Sequence, residues 1–127
     1  MKFGYCILYV PDVPAALSFY EQAFGFSRKF LHESNTYGEL ATGATRLAFA
    51  AGSLAKTHGD FRPSRLAESP PAMEVALVTE DVAAAFVQAV AAGAIPHSKP
   101  EQKPWGQTVA YVRDPNGFLI ELCTPME

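Results

Sequence analysis

One carboxylate is a candidate for chemistry, because it falls inside an apolar strand that follows a tight turn. Residues 114–117 read Asp-Pro-Asn-Gly, and Asn-Gly supplies the positive-φ positions of a hairpin turn. Residues 118–123 then predict a strand in which Leu119, Glu121 and Cys123 share one face. Taking an ionised carboxylate out of water is costly unless a cation, a metal or hydrogen-bond donors compensate. Glu121 is therefore either a functional group or a strand-end side chain that reaches water or an arginine.

Motifs for several other chemistries are absent from the sequence. There is no GxGxxG, GxxxxGK[ST] or GxSxG run, so dinucleotide sites, P-loop sites and hydrolase nucleophiles lack support. The only cysteines, Cys6 and Cys123, lie in predicted strands without CxxC or Cys/His spacing, which predicts reduced packing residues. His32, His58 and His97 fall at predicted strand ends or in loops, so we expect solvated histidines.

The composition indicates a small soluble protein. A chain of 127 residues, 49% of them hydrophobic, is long enough for one compact unit and too short for two ordinary domains. The net charge is −3 and no run of Lys or Arg could follow a phosphate backbone, so nucleic acid is not an expected partner. Neither a membrane span nor a basic, apolar leader is visible, and we expect a cytoplasmic protein that does not bind membranes.

The same order of elements occurs twice along the chain. A strand begins at Tyr5 and another at Glu74, and each is followed seven residues later by an aspartate suited to cap a helix, Asp12 or Asp81. An apolar stripe at helical spacing follows and ends at a glycine, and three strand-like segments come next. Both halves therefore predict βαβββ. The predicted segments are 5–10, a helix ending at Gly25, 27–33, 36–41 and 45–51 in the first half, and 74–78, a helix ending at Gly93, 95–99, 107–113 and 118–123 in the second.

Between the halves, residues 52–72 contain prolines and glycine among polar residues, which predicts an exposed connection. Such a segment could close over a site or act as a simple tether. The sequence favours neither.

Several motifs occur in order over essentially the whole chain: Val10-Pro11-Asp12, Phe19-Tyr20, Phe24-Gly25-Phe26 and the segment 114–122. Together they resemble the vicinal oxygen chelate superfamily, which includes glyoxalase I, bleomycin-resistance proteins, fosfomycin-resistance enzymes and extradiol dioxygenases. The resemblance implies a single α+β domain at 1–127, with module one at about 1–51, a linker at about 52–72 and module two at about 73–127. The two βαβββ modules would form an open, curled, barrel-like sheet around a groove. It also implies a homodimer, while the reaction stays open.

The resemblance implies where a metal would bind. Metal enzymes of the superfamily place ligands at positions that correspond here to Tyr5, Ala48, Glu74 and Glu121. Only Glu121 is of the usual type, because Tyr5 and Glu74 replace the common ligands and Ala48 has no donor atom. We therefore expect no cofactor. The alternative is one divalent ion held by Glu74 and Glu121, and oxygen ligands would favour Mg²⁺ or Mn²⁺.

Without a metal, Glu74 and Glu121 would face the same groove, and their mutual repulsion would raise the pKa of at least one of them. A cation would relieve it. Arg46 is the first internal candidate and Arg113 the second, and a basic ligand could serve instead. Glu39, also in a strand-like segment, is expected at a rim.

The implied groove has an aromatic lining. Tyr5 and Tyr9 share one face of the first strand by alternation, and Trp105 lies on a loop where an indole is hard to bury. Rigid aromatic rings stack planar compounds, which a few polar groups then orient. The alternative is that the tyrosines fill the barrel and Trp105 packs at a dimer interface or on the linker. The predicted ligand-binding residues are Tyr5, Tyr9, Arg46, Trp105, Gln107 and Tyr111.

Two classes of function agree with these features. The first is a binding protein of the glyoxalase/bleomycin-resistance type that captures an aromatic or amphipathic compound without a complete metal site. The second is a metal-dependent lyase or isomerase of the glyoxalase type, in which Glu121 is a ligand or proton acceptor and Glu74 a second ligand or base. Because the sequence supplies a base more clearly than an electrophile, we favour the binding protein.

Overall fold

The computed structural model describes residues 1–126 of the chain, which divides into two compact units. The first unit is Met1–Pro63 and the second begins at Ser64. Within the described residues, no helix has the length and apolar character needed to cross a membrane.

The first unit contains a four-stranded mixed sheet and a helix packed on one of its faces. In chain order its elements are β1 (Tyr5–Val10), α1 (Val13–Phe24), β2 (Arg28–Leu31), β3 (Tyr37–Leu40), β4 (Arg46–Ala51), α2 (Gly52–Ala55) and a 3₁₀ turn (Lys56–His58). The strand order is β1-β4-β3-β2, in which β1 runs parallel to β4 and the other pairs are antiparallel.

Local chemistry sets both ends of α1 as the sequence predicts. Asp12 caps the helix by accepting a hydrogen bond from the Ala15 N–H at 3.1 Å, and Gly25 follows it in the left-handed region at φ 76°. The buried side of the helix packs on the sheet with Leu17 and Tyr20, which are 0% and 1% exposed. The opposite face of the sheet is therefore free to present other residues.

The second unit repeats this plan. Its elements are β5 (Glu74–Val78), α3 (Val82–Ala91), β6 (Ile95–Gln102), β7 (Thr108–Arg113) and β8 (Leu119–Cys123), in the strand order β5-β8-β7-β6. Asp81 caps α3 through the Ala84 N–H at 3.0 Å, and Gly93 lies just beyond the helix at φ 112°. The predicted α+β fold of two βαβββ modules is confirmed.

Most strand bounds agree with the prediction to within two residues, and two segments differ more. Residues 52–72 were expected to form an exposed connection, but α2 and the 3₁₀ turn occupy its first part, where Ala55 is buried at 3% exposure. The strand β6 continues past residue 99 to Gln102, since Glu101 and Gln102 pair with Val109 and Thr108 of β7. Both differences depend on contacts between segments that periodicity does not report.

The turn before β8 also differs from the predicted one. Asn116 does not adopt a positive φ, and only Gly117 does so in this turn, at φ 88°. Asp114 determines the geometry instead: it is 0% exposed, and its Oδ1 accepts hydrogen bonds from the N–H groups of Asn116 and Phe118 at 2.9 and 3.0 Å. A side chain that bonds the backbone two residues on is an alternative way to close a turn.

This turn gives a prediction for stability. A methyl group at Gly117 would lie 2.6 Å from the backbone carbonyl of Arg65, whereas a methyl group at Gly43, also at φ 88°, would meet no atom within 4 Å. We expect Gly117→Ala to lower the free energy of unfolding by about 2–4 kcal/mol, from strain and overpacking together. Gly43→Ala should cost only about 1–2 kcal/mol, from strain alone. Urea unfolding followed by circular dichroism measures both, and equal losses would contradict the contact at Gly117.

Candidate functional site

The uncovered face of the first sheet carries large apolar side chains. Because β1 and β4 pair in register, Tyr5, Ile7 and Tyr9 lie opposite Arg46, Ala48 and Ala50 on the face that α1 does not cover. Tyr5, Ile7 and Tyr9 are 49%, 43% and 37% exposed, and Phe30 is 40% exposed. The Phe30 ring contacts that of Tyr37, with centroids 5.9 Å apart. We call this surface the aromatic face; it consists of Tyr5, Ile7, Tyr9, Phe30 and Tyr37.

A buried carboxylate lies within the aromatic face. Glu39 is 4% exposed, so its predicted place at a rim is wrong. The reason is the strand order: β3 lies between β4 and β2, and Glu39 pairs with Ala48 on one side and Phe30 on the other. A side chain on an interior strand does not lie at the edge of the sheet.

Tyr37 and Arg46 compensate the buried carboxylate. The Tyr37 hydroxyl donates to Glu39 Oε2 at 2.8 Å, and Arg46 Nε lies 3.6 Å from Oε1. Burial and the hydrogen bond to Glu39 raise the pKa of Tyr37 to about 12, so the phenol keeps its proton and remains a donor. Oε1 has no hydrogen bond of its own and depends on the ion pair with Arg46.

Arg46 also joins this carboxylate to the first strand. Its Nη1 donates to the Tyr5 hydroxyl at 3.0 Å, and the guanidinium carbon lies 5.4 Å from the centre of the Tyr5 ring. These contacts bring together two of the predicted ligand-binding residues, Tyr5 and Arg46. Tyr9 is held separately, by an edge-on contact with Phe61 at 4.8 Å between centroids.

The second unit brings together the two predicted catalytic carboxylates and Tyr111. Tyr111 pairs with Glu121 across β7 and β8, and its hydroxyl donates to Glu121 Oε1 at 2.9 Å. Burial and the neighbouring Glu121 carboxyl raise the pKa of Glu74. Burial alone would raise the pKa of Glu121, but its interactions with Glu74, Cys123 and Tyr111 lower it. The two carboxyls therefore titrate as a pair in which Glu74 loses its proton at a higher pH than Glu121.

The cations predicted for this pair have other contacts. Arg113 donates to the carbonyl oxygen of Gly117 and to those of Arg65 and Leu66, so it fastens the preceding connection to the turn. Its prediction as a partner of the carboxylates is wrong, because these carbonyls occupy the guanidinium. The ion pair of Arg46 is with Glu39.

Histidine placement differs in one case from the prediction. His97 is exposed, as expected, but it lies inside β6 rather than at a strand end or in a loop. Its ring is 6.4 Å from the ring of Tyr111, so it borders the carboxylate pair through that tyrosine.

The pKa shift of Glu74 predicts a pH-dependent effect on stability. A carboxyl whose pKa is raised in the fold contributes stability below its unfolded pKa and loses that contribution as pH rises through the folded value. Glu74→Gln removes the negative charge that Glu74 acquires as the pH rises. We therefore expect the variant to have a higher melting temperature than the wild type at pH 7, and the difference to shrink towards pH 4. Thermal unfolding across that range measures it. A difference that is constant with pH would contradict the raised pKa.

Trp105 is held outward over a concavity in the second unit. The indole is 64% exposed, and its Nε1 donates to Gln107 Oε1 at 2.8 Å. Gln107 is 8% exposed, and its Nε2 donates to the Thr124 carbonyl at 2.9 Å. Both ends of the amide are thus engaged within the protein, and Gln107 fixes the orientation of Trp105. The concavity, of about 620 Å³, is lined by Trp105, Gly106, Gln107, Pro125 and Met126.

The donor atoms available to a metal are few. Among residues 1–126, no group of three or more His, Cys, Asp or Glu side chains is placed to share an ion. Cys6 and Cys123 form no disulfide, and burial raises the pKa of both thiols, that of Cys123 to about 11. The free thiols agree with the predicted reduced state of both cysteines. Glu74 and Glu121 remain the two carboxylates of the second sheet that lie close enough to share a ligand.

Known proteins place this chain in a family. A model of the Glyoxalase/Bleomycin resistance protein/Dioxygenase superfamily matches residues 2–122. No curated protein sequence gives a significant match. The solved structures that are similar include a glyoxalase-related enzyme from Fulvimarina pelagi, with 23% identity and a TM-score of 0.84, covering 98% of this chain and 88% of that one.

Two further solved structures are similar to this chain. A glyoxalase/bleomycin resistance protein/dioxygenase family enzyme from Burkholderia phytofirmans PsJN has 21% identity and a TM-score of 0.77, covering 99% of this chain and 100% of that one. A protein of unknown function from Agrobacterium tumefaciens str. C58 has 27% identity and a TM-score of 0.79, covering 99% and 95%. At these identities the structures support the fold rather than a reaction. The chain belongs to the glyoxalase/bleomycin resistance protein/dioxygenase superfamily.

Proposed function

We propose that this protein binds a small aromatic or amphipathic compound on the aromatic face and needs no metal to do so. The observation that carries the proposal is the exposure of Tyr5, Ile7, Tyr9 and Phe30, at 37–49%, around the ion pair between the buried Glu39 and the partly exposed Arg46. Contiguous apolar surface with a few polar groups inside it is typical of a ligand site.

The aromatic face is also preorganised. Tyr5 is fixed by the hydrogen bond from Arg46, and Tyr9 by its contact with Phe61. Rings that are already held in place lose little conformational freedom when a planar compound stacks on them. Such a surface favours flat ligands over flexible ones.

The residues at the superfamily's metal positions do not fit a metal ion. In the first unit, the Tyr5 hydroxyl accepts a hydrogen bond from a guanidinium cation, and Ala48 has no donor atom. A second cation beside Arg46 would be repelled. In the second unit, Glu74 and Glu121 supply only two carboxylates, no group of three His, Cys, Asp or Glu side chains forms among residues 1–126, and Glu121 Oε1 already accepts a hydrogen bond from Tyr111. We therefore derive no step through a metal.

One observation favours a second candidate, a lyase or isomerase of the glyoxalase type. The pKa of Glu121 is lowered and that of the neighbouring Glu74 is raised, and such a pair could accept and return a proton during enolisation beside a carbonyl. The groups that hydrogen-bond to Glu121 are the Tyr111 hydroxyl, the Cys123 thiol and the Glu74 carboxyl, and all three are directed at that carboxylate. This candidate therefore lacks an electrophile for the substrate oxygen.

Calorimetric titration with naphthalene-2-carboxamide, a neutral planar probe, distinguishes the two candidates. With EDTA present, we expect saturable binding and a rise in melting temperature, because a compound that binds only the native state stabilises it. Binding that appears only after Mg²⁺ or Mn²⁺ is added, and disappears in Glu121→Gln, would contradict the proposal and support the lyase.

A further inference from the structure

We propose that the bound compound is an aromatic acid, whose carboxylate is recognised by Arg46. This inference rests on the proposed function and adds the chemical class of the ligand. It comes from the way in which the donor groups of Arg46 are distributed within the aromatic face.

Two edges of the guanidinium are already engaged. Nη1 donates to the Tyr5 hydroxyl at 3.0 Å, and Nε faces Glu39 Oε1 at 3.6 Å. No hydrogen bond of Nη2 is described within residues 1–126, and the side chain as a whole is 36% exposed. Arg46 therefore keeps donor capacity for a ligand and is partly exposed on the aromatic face.

The buried carboxylate cannot play the corresponding role for a cationic ligand. The side chain of Glu39 is 5% exposed, Oε2 accepts a hydrogen bond from Tyr37, and Oε1 is buried and lies 3.6 Å from Arg46 Nε. An amine would have to displace Arg46 to reach it, which would break the contact with Tyr5 as well. The charged group that a ligand can reach on this face is therefore the Arg46 guanidinium, whereas the Glu39 carboxylate is buried.

Arg46 is suited to a planar acid in particular. A guanidinium is a flat donor that matches the geometry of a carboxylate, and hydrogen bonds between ionised partners are about twice as strong as neutral ones. Arg46 lies over the Tyr5 ring at 5.4 Å, so a carboxylate bonded to Nη2 would be attached to a ring within reach of the tyrosine surface. An aromatic acid satisfies both features, whereas an aliphatic acid would leave the rings uncovered.

The test uses three probes that share one ring system: naphthalene-2-carboxylate, naphthalene-2-carboxamide and naphthalen-2-ylmethylamine. Each is titrated by calorimetry at pH 7 with EDTA into the wild type, Arg46→Lys and Arg65→Gln. Arg46→Lys keeps a cation beside Glu39, so that the fold is retained, but loses the flat donor edge. Arg65→Gln removes a positive charge from a side chain that is 64% exposed and lies outside the aromatic face, and serves as the control for net charge.

We expect the wild type to bind the carboxylate about tenfold more tightly than the amine, with the amide between them. Arg46→Lys should lose about tenfold in affinity for the carboxylate and less than about threefold for the amide, while Arg65→Gln should change neither. Equal affinities for the acid and the amide, an unaltered preference in Arg46→Lys, or tightest binding of the amine would overturn the inference and leave the proposed function standing. Failure of all three probes to bind the wild type would overturn both.

Discussion

Replacing Arg46 with methionine is expected to lower the free energy of unfolding by about 2–3 kcal/mol, because Glu39 would stay buried without its cation. Glu39 is 4% exposed, and its Oε1 has no hydrogen bond that could take over from the ion pair. Breaking a buried pair costs about 3–5 kcal/mol, and we expect less because the Arg46 side chain is 36% exposed and water screens the interaction. Urea unfolding of the two proteins measures the difference.

A second variant and a control identify the cause of this loss. Adding Glu39→Gln to Arg46→Met removes the uncompensated charge and keeps an acceptor for Tyr37, so the double variant should come within about 1 kcal/mol of Glu39→Gln alone. The control is Arg65→Met, whose ion pair with Glu68 is 64% and 61% exposed and should contribute less than about 1 kcal/mol. If Arg46→Met costs no more than Arg65→Met, Glu39 does not depend on Arg46.

Tyr9→Ala is expected to weaken the binding of naphthalene-2-carboxamide by about tenfold or more. Truncating a rigid aromatic side chain at the centre of a binding surface commonly costs about 1–2 kcal/mol or more, and about 1.4 kcal/mol corresponds to tenfold. Tyr9 is 37% exposed and is held by Phe61, so its ring is both accessible and ordered. Calorimetric titration in EDTA measures the affinity.

Two further variants show whether the ring itself is responsible. Tyr5→Phe keeps a ring on the aromatic face but loses the hydroxyl bonded to Arg46, and should change the affinity for this neutral probe by less than about threefold. Val87→Ala shortens an apolar side chain that is 67% exposed on α3, outside the aromatic face, and should leave the affinity unchanged. An equal loss in Tyr9→Ala and Val87→Ala would point to nonspecific binding.

The fold was largely predictable because the ends of its helices and strands depend on local chemistry. The capping residues Asp12 and Asp81 lie seven residues after the first residues of β1 and β5, and both strands have the predicted bounds. Sequence alone did not reveal α2 or the extension of β6, because these depend on burial of Ala55 and on pairing with β7. The buried Asp114 was missed for a similar reason: the sequence shows a turn but does not show which of its side chains closes it.

The site was predictable only in part, because burial depends on the order of the strands. Strand alternation places Tyr37 and Glu39 on one face, which was a usable signal, but a single sequence does not show that β3 lies inside the sheet. The pairing of β1 with β4 then brings Arg46 beside Tyr5, which are 41 positions apart in the chain. Arg113 shows the limit most clearly, since its partners Arg65 and Leu66 lie 48 and 47 positions away in a segment without regular structure.

Nuclear magnetic resonance mapping of naphthalene-2-carboxamide on the ¹⁵N-labelled protein, with EDTA present, tests the binding of an aromatic compound on the aromatic face most directly. We predict saturable shifts that are largest for the backbone amides of β1, β3 and β4 and for the Arg46 side chain. Shifts confined to the residues around Glu121 or Trp105, or shifts that require a divalent ion, would contradict the account.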